Sequence, residues 1–244
     1  MTTRLFQNIP LAVKAVVSLD DAASHHLARV LRAQLKETVI LFNGEGGEYE
    51  GIISIIEKKS VQVTLTAFHP REAESSLDIC LLQGISRGEK MDYTLQKSVE
   101  LGVKQIVPLL TERCNIKRES SHFEKKVRHW QQIIISACEQ CGRNRIPTLT
   151  MPQTLEDFLN IQQPFDHAFV LAPTATGTLK AHAIPPHARI ALLIGPEGGL
   201  SNAEIQLAAT KNYLPLGLGP RILRTETAAL AAITMLQCIA GDMC

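Results

Sequence analysis

Aromatic side chains are scarce: one Trp, three Tyr and seven Phe make up 5% of the 244 residues. So few rings argue against a platform on which several bases stack in succession. Long apolar runs are missing as well, and no stretch reaches the eighteen residues of a membrane-spanning candidate. Cysteine is sparse. Cys80, Cys114, Cys138, Cys141, Cys238 and Cys244 are spread over the chain, which excludes a disulfide scaffold and fits a reducing cytoplasm. Met1 to Asn8 has no basic lead and no apolar core, so no secretory signal is read there. Neither charge sign is in excess, with 25 basic and 24 acidic residues. The 45% apolar content excludes a disordered chain. Two nucleotide motifs are absent: no G-x-x-x-x-G-K-[ST], and no G-x-G-x-x-G after a strand. Cys138-Glu139-Gln140-Cys141 is a C-x-x-C without a second pair or histidines at ligand spacing. It reads as two packing thiols at a helix end, and no metal is expected.

What is present divides into two parts. Residues 1–70 read as a small β-barrel with one helix. The helix is expected over residues 20–32, where Ala23, Leu27, Val30 and Leu31 recur at helical spacing. Strands are expected at 39–42, 49–56 and 61–67, the last alternating apolar and polar side chains. Asn43-Gly44-Glu45-Gly46-Gly47 supplies the turn between the first two. Residues 70–76, polar and opened by a proline, read as a linker. Residues 77–244 then alternate strands and helices, the pattern of an α/β domain with a largely parallel sheet. Strands are expected at 77–83, 105–110, 167–172, 189–194 and 213–216. Helices are expected at 88–101 and from 121, the latter with Phe123, Val127, Trp130, Ile134, Ala137 and Cys141 as one stripe. Ser201 with Glu204 forms a capping-box pattern at a further helix start. The last helix, 225–239, is almost wholly apolar after Glu226 and is expected to be buried.

Neutral overall charge hides a local excess. Residues 112–145 hold Arg113, Lys117, Arg118, Lys125, Lys126, Arg128, Arg143 and Arg145 against four acidic side chains. Such a patch suits a polyanion, and equally a solvated helix face. In open α/β sheets ligands sit beyond the carboxyl ends of the strands. Three loops leave such ends, at 172–177, 195–199 and 217–224. Glycine there lets backbone approach a ligand closely. Glu197 would repel a phosphate, so Gly195-Pro196-Glu197-Gly198-Gly199 suits an uncharged purine or a cationic ligand, or is a structural turn.

Leu193-Ile194-Gly195-Pro196-Glu197-Gly198-Gly199, followed by Leu216-Gly217-Leu218-Gly219-Pro220-Arg221-Ile222-Leu223-Arg224-Thr225-Glu226-Thr227-Ala228, resembles the paired cofactor signatures of the knotted SPOUT methyltransferases. The resemblance is to the bacterial 16S ribosomal RNA uridine-N3 methyltransferases. It continues through Arg87-Gly88-Glu89-Lys90-Met91, Gln96-Lys97-Ser98-Val99-Glu100-Leu101-Gly102-Val103, Thr111-Glu112-Arg113-Cys114 and Glu139-Gln140-Cys141-Gly142-Arg143, and into His26-Leu27-Ala28-Arg29-Val30-Leu31-Arg32. It therefore covers nearly the whole chain in order.

The resemblance implies a PUA-like β-barrel over 1–70 and a SPOUT domain over 77–244 whose C-terminus threads a trefoil knot. It implies a cytoplasmic homodimer with S-adenosyl-L-methionine as methyl donor and 16S rRNA or the small ribosomal subunit as partner. The cofactor residues it implies are Gly195, Glu197, Gly198, Gly199, Leu218, Arg221, Ile222, Leu223 and Thr225, with Leu171 and Pro173 as a third wall. Ile222 and Leu223 are expected to pack in the core in any case. Arg224, Arg221 and Glu226 are the candidate catalytic residues. The two arginines would stabilise charge on the uracil oxygens, and Glu226 would orient one of them, accept the proton, or merely favour a helix N-terminus. Arg4, Arg29, Arg32, Lys117, Arg118, Lys125, Lys126 and Arg128 are the candidate RNA phosphate contacts. The alternatives are methylation of another ribosomal or transfer RNA nucleotide, or a non-catalytic RNA-binding assembly protein.

Overall fold

The computed structural model describes residues 2–58, 60–114, 120–161, 165–173, 175, 177–179 and 182–243. The chain divides into two compact units: Met1–Glu74 with Cys138–Ile146, and Ser75–Ala137 with Pro147–Cys244.

The first unit is built on five strands: β1 (Thr3–Phe6), β2 (Val16–Ser18), β3 (Thr38–Phe42), β4 (Glu48–Ile56) and β5 (Val61–His69). They form one sheet in the order β1–β3–β4–β5–β2. β1 runs parallel to β3, and the other pairs are antiparallel. Alternate side chains point to a single core, with Leu5, Val17, Val39, Leu41, Ile53, Val63 and Leu65 from the strands and Ala23 and Leu27 from the helical segment. The period-two pattern predicts β3 to β5 to within two residues. β1 and β2 are too short to show a period, so the pattern does not reveal them.

The helix expected over 20–32 is two pieces. Helix α1 (Asp21–His25) is capped by the Asp20 carboxylate, which accepts from the Ala23 N–H at 2.8 Å. A π-helical turn, His26–Leu31, follows and ends at Arg32 in the left-handed region, φ 53°. The wider turn exposes Val30 and Leu31 rather than burying them, so only Ala23 and Leu27 of the expected stripe reach the core.

Residues 70–76 are not a loose tether. Glu74 forms a two-pronged ion pair with Arg143, at 3.1 Å to Nε and 2.6 Å to Nη2, with the Arg143 side chain 3% exposed. Arg71 reaches Glu48 and the Gly142 carbonyl, each at 3.2 Å. Asn144 donates to the Arg71 carbonyl at 2.6 Å. The polar composition that reads as a linker is instead a set of partners for residues 142–145. Cys138 is buried and its thiol is pushed up to about 12 by desolvation, as packing thiols require.

The second unit carries seven strands: β6 (Asp78–Gly84), β7 (Gln105–Leu110), β8 (Thr148–Leu149), β9 (Gln153–Thr154), β10 (His167–Leu171), β11 (Arg189–Ile194) and β12 (Leu214–Leu216). They pair in the order β12–β10–β11–β6–β7–β8, with β9 also on β7. Every pairing is parallel. Helices cover both faces, which is why β6 and β11 read as unbroken apolar runs. They are α2 (Glu89–Glu100), α3 (Ser120–Cys141), α4 (Leu155–Ile161), α5 (Asn202–Thr210) and α6 (Thr225–Ala240). α4 and α5 pack with Leu82, Val107, Val170 and Leu193, while α6 packs on β11 and on α2. The stripe of α3 buries Phe123, Trp130, Ile134 and Ala137. β8, β9 and α4 are not legible in the sequence because each is shorter than the window in which a period shows.

Helix α6 corrects a third expectation. Thr225, Ala229, Ala232, Ile233, Leu236 and Gln237 are buried, but Ala231 and Met235 are half-buried and Ile239 is exposed. One face packs on β11 and α2, and the other is half-buried, with Ile239 exposed.

Candidate active site

β6 is the switch point of the parallel sheet. β7 lies on one side of it, and β11 and β10 on the other. A crevice opens at the carboxyl ends of such strands. Here it is a cavity of about 480 Å³, walled by the chain leaving β10 (Leu171, Ala172, Pro173), β11 (Ile194 to Leu200) and β12 (Leu216, Leu218, Gly219 and Arg221 to Thr225). The turn at 195–199 and the segment at 217–224 thus share one hollow.

Close packing holds the walls. A side chain on Gly195 would meet the backbone of Gly199 and Leu200 at 2.7 Å, so only glycine fits where the turn folds back on itself. The Gly217 N–H donates to the Gly177 carbonyl at 2.9 Å, tying the end of β12 to the loop after β10. Thr225 opens α6, and its hydroxyl donates to the Gly195 carbonyl at 2.7 Å. Ser201 and Glu204 form the expected capping box on α5, at 3.2 and 2.8 Å. The other Glu204 oxygen accepts from the Glu112 N–H at 2.8 Å.

The electrostatics are mixed. Glu197 accepts from the Arg87 N–H at 3.1 Å and lies 3.5 Å from the Lys90 ammonium. Burial works against this carboxylate, but the N–H groups of Arg87 and Glu197 and the Lys90 charge outweigh it and hold its pKa below the ordinary value. Arg113 donates to the Gly198 carbonyl at 2.9 Å. Arg221 and Arg224 are exposed, and their guanidinium groups have no partner among the described residues.

The structure brings together Leu171, Pro173, Gly195, Glu197, Gly198, Gly199, Leu218, Arg221, Ile222, Leu223, Arg224 and Thr225 around this cavity. Three expectations change. Ile222 is 86% exposed and not a core residue, because the segment carrying it runs along the cavity rather than under the sheet. Glu226 is not on the cavity wall; its Oε2 is buried with no partner among the described residues. Arg4 is no free phosphate ligand. It pairs with Glu48, donates to Asn144 Oδ1 at 2.6 Å and stacks over the Phe42 ring. Its side chain is therefore consumed inside the first unit.

Arg29 and Arg32 are exposed on the π-helical turn and at its end. Lys125 and Arg128 lie on α3 with Lys126, and Glu124 lies 3.9 Å from Arg128. Lys117 and Arg118 lie outside the described residues. Sequence reasoning missed Lys90 and Arg113 as cavity residues. The signal was available: each follows the carboxyl end of a parallel strand, β6 or β7.

A family model for an RNA methyltransferase domain matches residues 73–237, and one for an RNA methyltransferase PUA domain matches residues 19–66. The ribosomal RNA small subunit methyltransferase E of Buchnera aphidicola subsp. Schizaphis graminum is 38% identical over 98% of this chain and 97% of its own length. Among solved structures, a Legionella pneumophila protein assigned as a methyltransferase, in complex with the bound cofactor SAM, is 42% identical with a TM-score of 0.96 and full coverage of both chains. The ribosomal RNA small subunit methyltransferase E of Neisseria gonorrhoeae, bound to S-adenosyl methionine, is 36% identical with a TM-score of 0.93, again over all of both chains. With a matching model over more than half its length and full-length relatives of that name, this chain belongs to the RNA methyltransferase family of the small-subunit ribosomal RNA methyltransferases E.

Proposed function

We propose that this chain transfers a methyl group from S-adenosylmethionine to N3 of a uridine in 16S ribosomal RNA. The observation that carries the reading is the single cavity shared by residues 195–199 and 217–224, with two guanidinium groups on its wall that have no partner among the described residues. Leu171, Ile194, Leu218 and Leu223 offer apolar surface to a purine, and the tight glycine turn exposes backbone polar groups without a phosphate cradle. Both suit a nucleoside that carries a sulfonium and no phosphate.

When bound, S-adenosylmethionine supplies an electrophilic methyl group. The chain's own residues must do the rest. Uridine N3 is a poor nucleophile while it holds its imide proton. Arg224 and Arg221 favour the anion by placing positive charge beside the uracil oxygens, and the proton leaves to water. N3 then takes the methyl as the carbon–sulfur bond breaks. Lys90 and Arg113 hold the 195–199 turn rather than the base. Glu226 stands behind the wall with no partner among the described residues, so it touches neither arginine.

The first unit, with Arg29 and Arg32, and helix α3, with Lys125, Lys126 and Arg128, contact RNA phosphates in this reading. The target base leaves its stack to reach the cavity. The family resemblance implies that the C-terminal segment is threaded as a trefoil knot. The partly exposed apolar residues Met235 and Ile239 of α6 are in keeping with a homodimer. Among the described residues no helix is long and apolar enough to cross a membrane.

Incubation with tritiated S-adenosylmethionine and small subunits lacking the modification tests the reading. Label is expected on one uridine at N3. No label on any nucleotide overturns it and favours a non-catalytic assembly protein; label on another position or on transfer RNA corrects the substrate.

A further inference from the structure

Gln83, at the carboxyl end of β6, is a fully buried amide in an otherwise apolar strand. It does not line the cavity. Its Nε2 donates to the Gly84 carbonyl and to the Thr225 hydroxyl, each at 2.9 Å. That hydroxyl has one proton, which goes to the Gly195 carbonyl at 2.7 Å. The direction is therefore forced. Turning the amide would present its oxygen to Thr225, and two acceptors would then compete for a single proton. The result is a buried relay, Gln83 to Thr225 to Gly195, that joins the ends of β6 and β11 to the first turn of α6.

Its two outer links differ in what they touch. Gly195 and Thr225 belong to opposite walls of the cavity, and Gln83 stands behind both. Gln83 also keeps an unspent acceptor, since Oε1 is buried with no partner among the described residues. A buried orphan acceptor is destabilising. Stability alone would be better served by an apolar side chain of the same size, as at Leu81 and Leu82 in the same strand.

We propose that Gln83 is a positioning residue for the methyl-donor site. Through Thr225 it sets the separation between the 195–199 turn and the 217–225 segment. It also commits the Gly195 carbonyl to the protein, so the purine must find its acceptors elsewhere on the turn. The inference rests on the reading that this cavity holds S-adenosylmethionine.

Calorimetry of S-adenosylmethionine binding to the full chain tests it, using Q83L, Q83M, T225V and the Q83L/T225V pair, with thermal melting alongside. Q83M keeps the unbranched shape and decides the matter should Q83L not fold. Loss of the relay should weaken donor binding about tenfold. The melting temperature should fall less than in Q237L, because the orphan acceptor goes with the amide and the Ser86 hydroxyl still donates to the Gly84 carbonyl. The pair should be no weaker than the worse single variant, since both cut one chain of bonds. Gln237, an equally buried amide that bonds Ser75 and Leu101, is the control. Q237L should lower the melting temperature and leave donor affinity within about twofold. Donor affinity unchanged in Q83L, or in Q83M if Q83L is unfolded, overturns the inference while the cavity's assignment stands. So do additive losses in the pair, or a loss of affinity only in step with melting temperature. Wild-type protein that does not bind S-adenosylmethionine overturns the cavity's assignment itself, and the inference with it.

Discussion

At the scale of single residues, the cavity depends on groups whose geometry leaves little room for change. Gly195 faces backbone at 2.7 Å on its crowded side, whereas a side chain on Gly198 would meet the Arg113 Cβ at 3.1 Å, a contact relieved by a shift of a few tenths of an ångström. Gly195→Val should therefore lower S-adenosylmethionine affinity on the order of a hundredfold, and Gly198→Ala by much less. Titration calorimetry reads the ratio, and equal effects would mean the turn is not folded as described. Glu197 gives a pH signature. Its folded pKa lies below the ordinary 4.5, so its hold on Arg87 and Lys90 is complete above that value. It is lost as pH falls through the lower, folded value. Donor affinity should therefore weaken on acidification below about pH 4.5 in the wild type. E197Q should remove that part of the pH dependence; an identical profile in the variant would remove Glu197 from the turn's support.

Among the elements, two are defined by what their ends meet. The end of α3 and the residues after it enter the first unit through Arg143, Asn144 and Arg145. Arg143 is almost wholly buried and Glu74 is its charged partner. Removing one member of a buried ion pair generally costs about 3–5 kcal/mol. Glu74→Ala should thus lower the stability of the first unit by about that much, read by urea denaturation monitored by amide exchange in β3 to β5. A shift within a few tenths of a kcal/mol would show that Arg143 regains solvent. Helix α6 has the opposite character. Its inner face is packed, and its outer face leaves Ala231, Met235 and Ile239 uncovered or partly covered. Its pattern is more apolar than that of a helix with a fully solvated side.

For the whole molecule, near-zero net charge conceals where the cations are. Arg4 and Arg143 are consumed in ion pairs, while Arg29 and Arg32 face solvent and the Arg128 side chain is 70% exposed. Each cation withdrawn from a phosphate should reduce the slope of log affinity against log salt by about one. Lys125→Ala with Lys126→Ala should flatten that slope by up to about two for 16S RNA, with S-adenosylmethionine affinity unchanged. An unaltered slope would move the RNA face away from α3.

Much of this architecture is written in neighbouring residues. The alternation at 61–67, the stripe from Phe123 to Ala137 and the Ser201–Glu204 cap are decided within one strand or a few helical turns, so spacing alone reveals them. The loops at the carboxyl ends of β11 and β12 are legible as glycine-rich exits from apolar runs. The remainder needs the path of the chain. Arg87 meets Glu197 across 110 residues, Arg113 meets Gly198 across 85, and Gln83 meets Thr225 across 142. No local period encodes such meetings. The same distance in sequence turns Arg4 inward to Asn144 and makes partners of what reads as a linker. Ile222 lies open and Glu226 stands off the wall because the route of residues 217–225 around the crevice, not their apolar or charged character, determines what they touch. Side-chain pattern is a property of consecutive residues. A cavity is a property of segments that meet only after the sheet has formed.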